Sequence, residues 1–146
     1  MTGRACHQQG FTLLEMLAVI VLVGVAAAML GGAIGHGMQS AQERRALTDL
    51  VAGLRSARVE AIATGRPVRA RFDLAARRLM SPGHSPITWP EGLELQLHTA
   101  SDLGAAFAFY PDGAASGGHV SVRKGDRRWR IDIDWLTGRI RLQALP

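Results

Sequence analysis

With 146 residues and 47% apolar side chains, the chain suits a folded protein of one compact domain plus an appendage. Its net charge of +5 fits either an arginine-rich soluble surface or an anionic partner, nucleic acid or membrane. The one cysteine, Cys6, excludes a disulfide within the chain.

The charges are unevenly placed. Arg4 and Glu15 are the only ones before Glu43, so the average composition hides a lipid-soluble stem and a charged, soluble head. An apolar run opens at Phe11 and continues to about Ile34. Its roughly 24 residues, at about 1.5 Å each, match a bilayer core of about 30 Å. The run is too long for the apolar core of a secretory signal peptide. Glu15 is its anomaly, because a carboxylate in a spanning helix costs about 2.5 kcal/mol or more unless something pairs with it.

Gly31, Gly32, Gly35 and Gly37 follow where the lipid stem becomes the soluble one. They predict a bend or melting point, or else close packing of helices through small residues. After Met38 the pattern turns amphipathic. Leu47, Leu50, Val51, Leu54, Ala57, Ala61 and Ile62 share one helical face, and Glu43, Arg44, Asp49, Arg55, Arg58 and Glu60 fall on the rest. Thr64-Gly65-Arg66-Pro67 ends the helix, since glycine releases it and proline forbids its continuation.

Only strands are predicted beyond that stop: 68–72, 77–80, 93–97, 106–110, 119–122, 129–133 and 139–142, separated by glycine and proline turns. Segment 81–89 is expected to be a flexible loop. One long helix followed by antiparallel strands makes the fold class α+β, with the helix packed on sheet.

No arrangement of residues reads as a catalytic or metal site. His7, His36, His84, His98 and His119 follow no metal-ligand spacing, and neither Ser56 nor Ser116 has a histidine partner in any motif. Asp132 and Asp134 share one strand face and read as surface salt-bridge partners. The glycines from Gly113 to Gly118 lack the lysine and helix of a phosphate loop. No enzyme activity, cofactor or metal is therefore expected. A binding role has a better candidate in Gly138-Arg139-Ile140-Arg141. Arg139 and Arg141 lie on one side of a strand, about 6.5–7 Å apart, close to the spacing of successive phosphates on one DNA strand. Arg123, Lys124, Arg127, Arg128 and Arg130 would enlarge that patch, with Trp129 and Ile131 as the inward side. The alternative is an edge strand whose arginines discourage sheet-to-sheet aggregation.

Taken with the short polar leader, Gly10-Phe11-Thr12-Leu13-Leu14-Glu15 resembles the class III signal of type IV prepilins and pseudopilins. The resemblance implies cleavage after Gly10 by prepilin peptidase, N-methylation of the new terminus Phe11, and pairing of Glu15 with the amine of a neighbouring Phe11 in a filament. Leu54-Arg55-Ser56-Ala57-Arg58, Gly65-Arg66-Pro67-Val68, Tyr110-Pro111-Asp112-Gly113, Ser116-Gly117-Gly118 and Asp134-Trp135-Leu136-Thr137-Gly138-Arg139 resemble the GspH/FimT pseudopilin family, most of all its type II secretion branch. That resemblance implies a type IV pilin-like fold divided into leader 1–10, transmembrane half-helix 11–37 and periplasmic head 38–146. It also implies a minor subunit of a periplasmic filament that exports folded proteins, with other pseudopilins and the inner membrane as partners. The charge pattern by itself favours the opposite orientation, because Arg44, Arg45, Arg55 and Arg58 outnumber Arg4 across the run. The alternative function is DNA uptake by a minor pilin, with Arg139 and Arg141 as phosphate ligands, since Gly138-Arg139-Ile140-Arg141 also resembles a motif of the family's DNA-uptake members.

Overall fold

One long helix, α1 (Leu13–Thr64), precedes eight strands in the computed structural model, which describes residues 13–146 and, within them, all side chains outside 29–39. Gly10 and Phe11 lie outside the described residues, as do side-chain details of the glycine-rich stretch 31–37. The helix stops where the composition requires. Thr64 Oγ1 turns back to the Glu60 carbonyl at 2.7 Å, Gly65 takes a left-handed φ of 65°, and Pro67 removes the next donor.

The chain divides into two compact units, Met1–Ser40 and Ala41–Pro146. In the first unit, the side chains of α1 over 13–28 are exposed and, apart from Glu15, apolar on all sides, Leu14, Leu17, Ile20 and Leu22 among them. A helix of that kind needs a nonaqueous surrounding. Among the described residues, no helix is long and apolar enough to cross a membrane. The stretch with described side chains before the glycines is roughly 16 residues, about 24 Å of rise, against a hydrocarbon core of about 30 Å.

In the second unit, α1 is covered by two antiparallel four-stranded sheets. The first has the order β3-β2-β1-β5, built from β1 (Val68–Asp73), β2 (Arg78–Met80), β3 (Ile87–Thr88) and β5 (Ala106–Phe109). The second has the order β4-β6-β7-β8, built from β4 (Glu94–His98), β6 (Gly118–Lys124), β7 (Arg127–Ile133) and β8 (Ile140–Leu145). Leu47, Leu50, Leu54, Ala57 and Ala61 form the buried stripe of the helix, with Ala70, Phe72, Leu79, Phe107 and Phe109 from the first sheet and Val120, Val122, Ile131, Ile133 and Ile140 from the second. Phe72 meets Phe107 edge-on at 6.0 Å between centroids and Trp89 at 6.1 Å, knitting the first sheet to the loop after β3.

Three expectations need correction. The segment 81–89 is not a loop throughout, because Ile87–Thr88 pairs with β2 and Trp89 is buried. The reason lies on the helix: Gly53 leaves a notch so narrow that a Cβ there would meet Leu79 at 3.0 Å and Ile87 closer still. A strand of two residues has no period to read. Ile62, placed on the buried stripe, is instead 46% exposed at the end of the helix.

Glu43 is the third. It falls not on the polar side of α1 but among the buried residues, at 1% exposure. The steps 43, 47, 50 and 54 put it on the stripe. Lys124 Nζ lies 2.7 Å from its Oε1, and Arg127 Nη2 donates to Oε1 at 3.0 Å. The same Arg127 nitrogen is 2.8 Å from Oε2, an ion pair without hydrogen-bond geometry. Arg127 also stacks over Trp129 at 5.7 Å. The carboxylate thus fastens the tip of the β6–β7 hairpin to the base of the head, and a buried charge needs such partners to be tolerated.

Two outcomes follow for the head. Residues 38–146 expressed alone form a soluble monomer with a cooperative thermal transition, checked by light scattering and circular dichroism; an aggregated or unfolded fragment contradicts the helix-on-sheet unit. In that fragment, Lys124→Met with Arg127→Leu strands the Glu43 carboxylate. The loss of unfolding free energy in urea is about 3 kcal/mol, at the low end for a broken buried pair because Arg127 is half-exposed.

Candidate functional site

Glu15 occupies the first turn of α1 with its side chain exposed, as an acidic group suits a helix N-terminus. Its chain neighbours Leu14 and Met16 are exposed and apolar, so the carboxylate stands in a surface otherwise fit for lipid or for another apolar helix.

The arginines expected to form one patch are divided by the pleat of the second sheet. Lys124 and Arg127 share the side of Val122 and Trp129 and turn inward to Glu43. They are therefore not part of an anion-binding face, contrary to expectation; Arg127 is two residues from Trp129 and so must share its side. On the outer side, Arg123 is bonded to Glu94 at 2.6 Å and Arg130 to Asp132 at 2.6 Å. Cross-strand neighbours there form a row, His98 beside His119, His119 beside Asp132, and Asp132 beside Arg141. The two imidazoles stack at 4.2 Å, and Arg130 Nη2 lies 3.3 Å from His119 Nδ1. Burial, with the nearby charges of Arg130 and His98, holds the His119 pKa below the ordinary histidine value against the pull of Asp132.

Arg139 and Arg141 flank the buried Ile140 and are both exposed, but Arg139 precedes β8 rather than lying in it, so the two are not both strand residues as expected. They do not stand alone. A groove of about 380 Å³ places them with Asp132 and Asp134. Asp134 accepts the Thr137 N–H at 2.8 Å, the Thr137 hydroxyl at 2.9 Å and the Leu136 N–H at 3.1 Å. These donors, the Thr137 backbone foremost, together with the Arg141 charge, hold its carboxyl below the usual range. It therefore stays ionised beside the arginines at any physiological pH. Asp132, already bonded to Arg130, and Asp134 offset much of the arginine charge on this side, which makes a poor track for a polyanion.

A different cluster was not foreseen as a site. Arg58 Nε donates to the Gly113 carbonyl at 2.9 Å, and Arg55 Nη2 reaches the Ile140 carbonyl at 3.4 Å. Gly138, at φ 59°, has no room for a Cβ between the Gly113 carbonyl and the Arg58 side chain. The Ala115 N–H bonds the Trp135 carbonyl at 2.9 Å, so the two turns 110–117 and 134–138 are tied to each other as well as to α1. Arg58, the Pro111-Asp112-Gly113 turn and Thr137-Gly138-Arg139, far apart in the chain, thus meet at one place. Each was legible as a motif, but their meeting was not, because no local period links residue 58 to 113 and 138. Ser116 is occupied structurally, exchanging bonds with the Ala108 backbone at 2.8 and 3.2 Å. Among the described residues, no group of three or more His, Cys, Asp or Glu side chains could hold a metal ion.

Comparison with known proteins follows the same division of the chain. Residues 6–31 match the prokaryotic N-terminal methylation motif, and residues 46–137 match the family model for the type II transport protein GspH. A type II secretion system protein H of Xanthomonas campestris pv. campestris is 37% identical over 139 residues, covering 91% of this chain and 82% of that protein. The Escherichia coli K12 protein of the same description is 36% identical over 84 residues, 57% of this chain and 50% of that one. The solved minor pseudopilin EpsH from the type 2 secretion system of Vibrio cholerae shares the fold, with a TM-score of 0.56 over 70% of this chain and 95% of its own, at 21% identity.

The matched charges around Arg139 and Arg141 set a measurable expectation for nucleic acid. Binding of duplex DNA by the head is weak and independent of sequence. Arg139→Gln with Arg141→Gln weakens it no more than Arg77→Gln with Arg78→Gln does. Two phosphate ligands would instead flatten the plot of log K against log salt by about two units, at about 0.9 per phosphate. Fluorescence anisotropy across a salt series separates the two.

Proposed function

The chain belongs to the GspH family of type II transport proteins, and we infer that its work is that of a minor pseudopilin, a subunit that assembles with other pseudopilins in the type II secretion system. The observation carrying this is the order of matches in a single chain: a methylation motif over 6–31 and a GspH head over 46–137, on a helix-and-two-sheet fold shared with EpsH. The role is structural rather than catalytic, and it requires no cofactor. The head stands in the periplasm and the filament it joins serves the export of folded proteins across the outer membrane.

In this reading prepilin peptidase removes residues 1–10 and Phe11 becomes the methylated N-terminus. Residues 11–37 anchor the subunit in the inner membrane by a single pass. The exposed apolar side chains of α1 over 13–28 support that, because such a surface favours lipid or another apolar helix over water. Glu15 then serves filament assembly by pairing with the Phe11 amine of a neighbouring subunit. A carboxylate and an ammonium taken out of water together cost far less than either alone, so the pair selects the register in which one helix lies beside the next. DNA uptake, the other function consistent with Arg139 and Arg141, is disfavoured by the carboxylates beside them.

Maturation gives the direct test. In cells with prepilin peptidase, mass spectrometry of the purified protein finds N-methylated Phe11 as the first residue, and Gly10→Val leaves the uncut chain. Deleting the gene abolishes exoprotein secretion and leaves DNA transformation unchanged. An intact Met1 terminus in peptidase-competent cells, or loss of transformation with secretion preserved, contradicts this reading.

A further inference from the structure

Beside the junction of α1 with the two turns lies a groove of about 470 Å³, lined by Arg55, Arg58, Val59 and the start of β8. Three of its lining residues are arginines, Arg55, Arg58 and Arg139, and none is acidic. That sets it apart from the neighbouring groove, where Asp132 and Asp134 answer Arg139 and Arg141. Arg139 stands on the ridge between the two. Its guanidinium has no bonded partner among the described residues; its hydrogen bonds are made by the backbone, the N–H to Thr137 Oγ1 and the carbonyl from the Asp134 N–H.

The other two guanidiniums are positioned in advance. Arg55 and Arg58 are three residues apart on α1, hence neighbours on one helix face. Each gives a single N–H to a backbone carbonyl, Ile140 for Arg55 and Gly113 for Arg58. A guanidinium has five N–H donors in a planar fork, so both are held in place with most of their donors still unspent. Anchoring of this kind lowers the entropy lost when an anion arrives. Exposed apolar side chains lie at hand: Val59, in the lining, is 61% exposed, and Leu136, next in the chain to the lining residue Thr137, is 64% exposed.

We propose that this groove is a docking site for an acidic segment of a partner protein, whose carboxylates enter between Arg55, Arg58 and Arg139 while an apolar neighbour covers Val59 and Leu136. The proposal deepens the pseudopilin reading by naming the chemistry of one partner surface. Carboxylates are favoured over phosphates by shape and surroundings. The cations line a concave site too small for a duplex, and the next arginine along β8, Arg141, has Asp132 and Asp134 beside it, so no uninterrupted basic track continues from it. The exposed Val59 and Leu136 call for an apolar complement, which a side chain supplies and a sugar–phosphate backbone does not.

The full chain in zwitterionic lipid nanodiscs is titrated with a fluorescein-labelled peptide of alternating glutamate and alanine, and with its glutamine counterpart. The glutamate peptide binds and the glutamine peptide does not. Arg58→Gln with Arg139→Gln lowers affinity by tenfold or more, because charge-assisted hydrogen bonds are lost. Arg58 also holds the Gly113 carbonyl, so two milder variants guard against a folding defect. Arg139→Gln alone and Val59→Glu at the exposed lip each weaken binding several-fold with an unchanged circular dichroism spectrum. The control Arg77→Gln with Arg78→Gln changes affinity by less than twofold. Equal loss in that control, or equal binding of the glutamine peptide, overturns the proposal. So does duplex DNA, or a vesicle rich in phosphatidylglycerol, that displaces the peptide and itself loses affinity through the same substitutions. Any of these results leaves the pseudopilin reading standing, since that is decided by cleavage at Gly10 and by secretion.

Discussion

Both sheets of the head close over a single stripe of α1, and the rest of the unit follows from that constraint. A helix offers one row of positions to a core, here 43, 47, 50, 54, 57 and 61. Two sheets sharing it approach from different sides, so Ala46, Val51 and Gly53 beside the row are buried too, and the row is small at its C-terminal end, with alanine at Ala57 and Ala61. Where the first sheet comes close, Gly53 makes room, since a Cβ there would push aside the ends of the Ile87 and Leu79 side chains. Where the second sheet's hairpin tip arrives, the stripe carries Glu43 and the hairpin carries Lys124 and Arg127. Near the other end, the contact is made by Arg58 with Gly113, and by Gly138 beside both. Apolar packing fills the middle, and polar bonds fix the two ends.

Much of this was readable from periodicity. The helix end needed only Thr64, Gly65 and Pro67, and β4, β7 and β8 announced themselves by alternation and by the turns between them. What escaped was of two kinds. Ile87–Thr88 is a strand because of Gly53, thirty or more positions earlier in the chain, and no local window contains both. Glu43 and Arg127 were assigned to water by their charge, although their spacing put each on a buried side. In both cases spacing was the better guide than residue type, and the pairing of the two charges explains why the exception is stable.

The candidate site shows the same division. Gly138-Arg139-Ile140-Arg141 was visible as a four-residue pattern, and both arginines are exposed, although the strand begins only at Ile140. Its meaning depends on Asp132 and Asp134, which the sheet register sets beside it. Conversely, Arg55 and Arg58 looked like ordinary members of a solvated helix face. They became notable only when the turns 110–117 and 134–138 were seen to fold onto them. Charge content is a property of the sequence, but net charge at a surface is a property of register.

The position of Glu43 has a mechanical meaning if, as proposed, the helix is what holds the subunit in its filament. Tension carried along α1 enters the head unit, which begins at Ala41, almost at once at Glu43. The hairpin tip bonded there is the first part of the sheets to feel it. Lys124 and Arg127 lie on adjacent strands of one hairpin, so the load divides between two strands rather than peeling one away. Ion pairs loaded side by side must fail together, whereas pairs loaded in series fail one at a time. Resistance to being pulled open is governed by the rate of unfolding and not by equilibrium stability. A single buried carboxylate at the base of the head therefore acts as the splice through which the pull on one helix is shared out to a sheet.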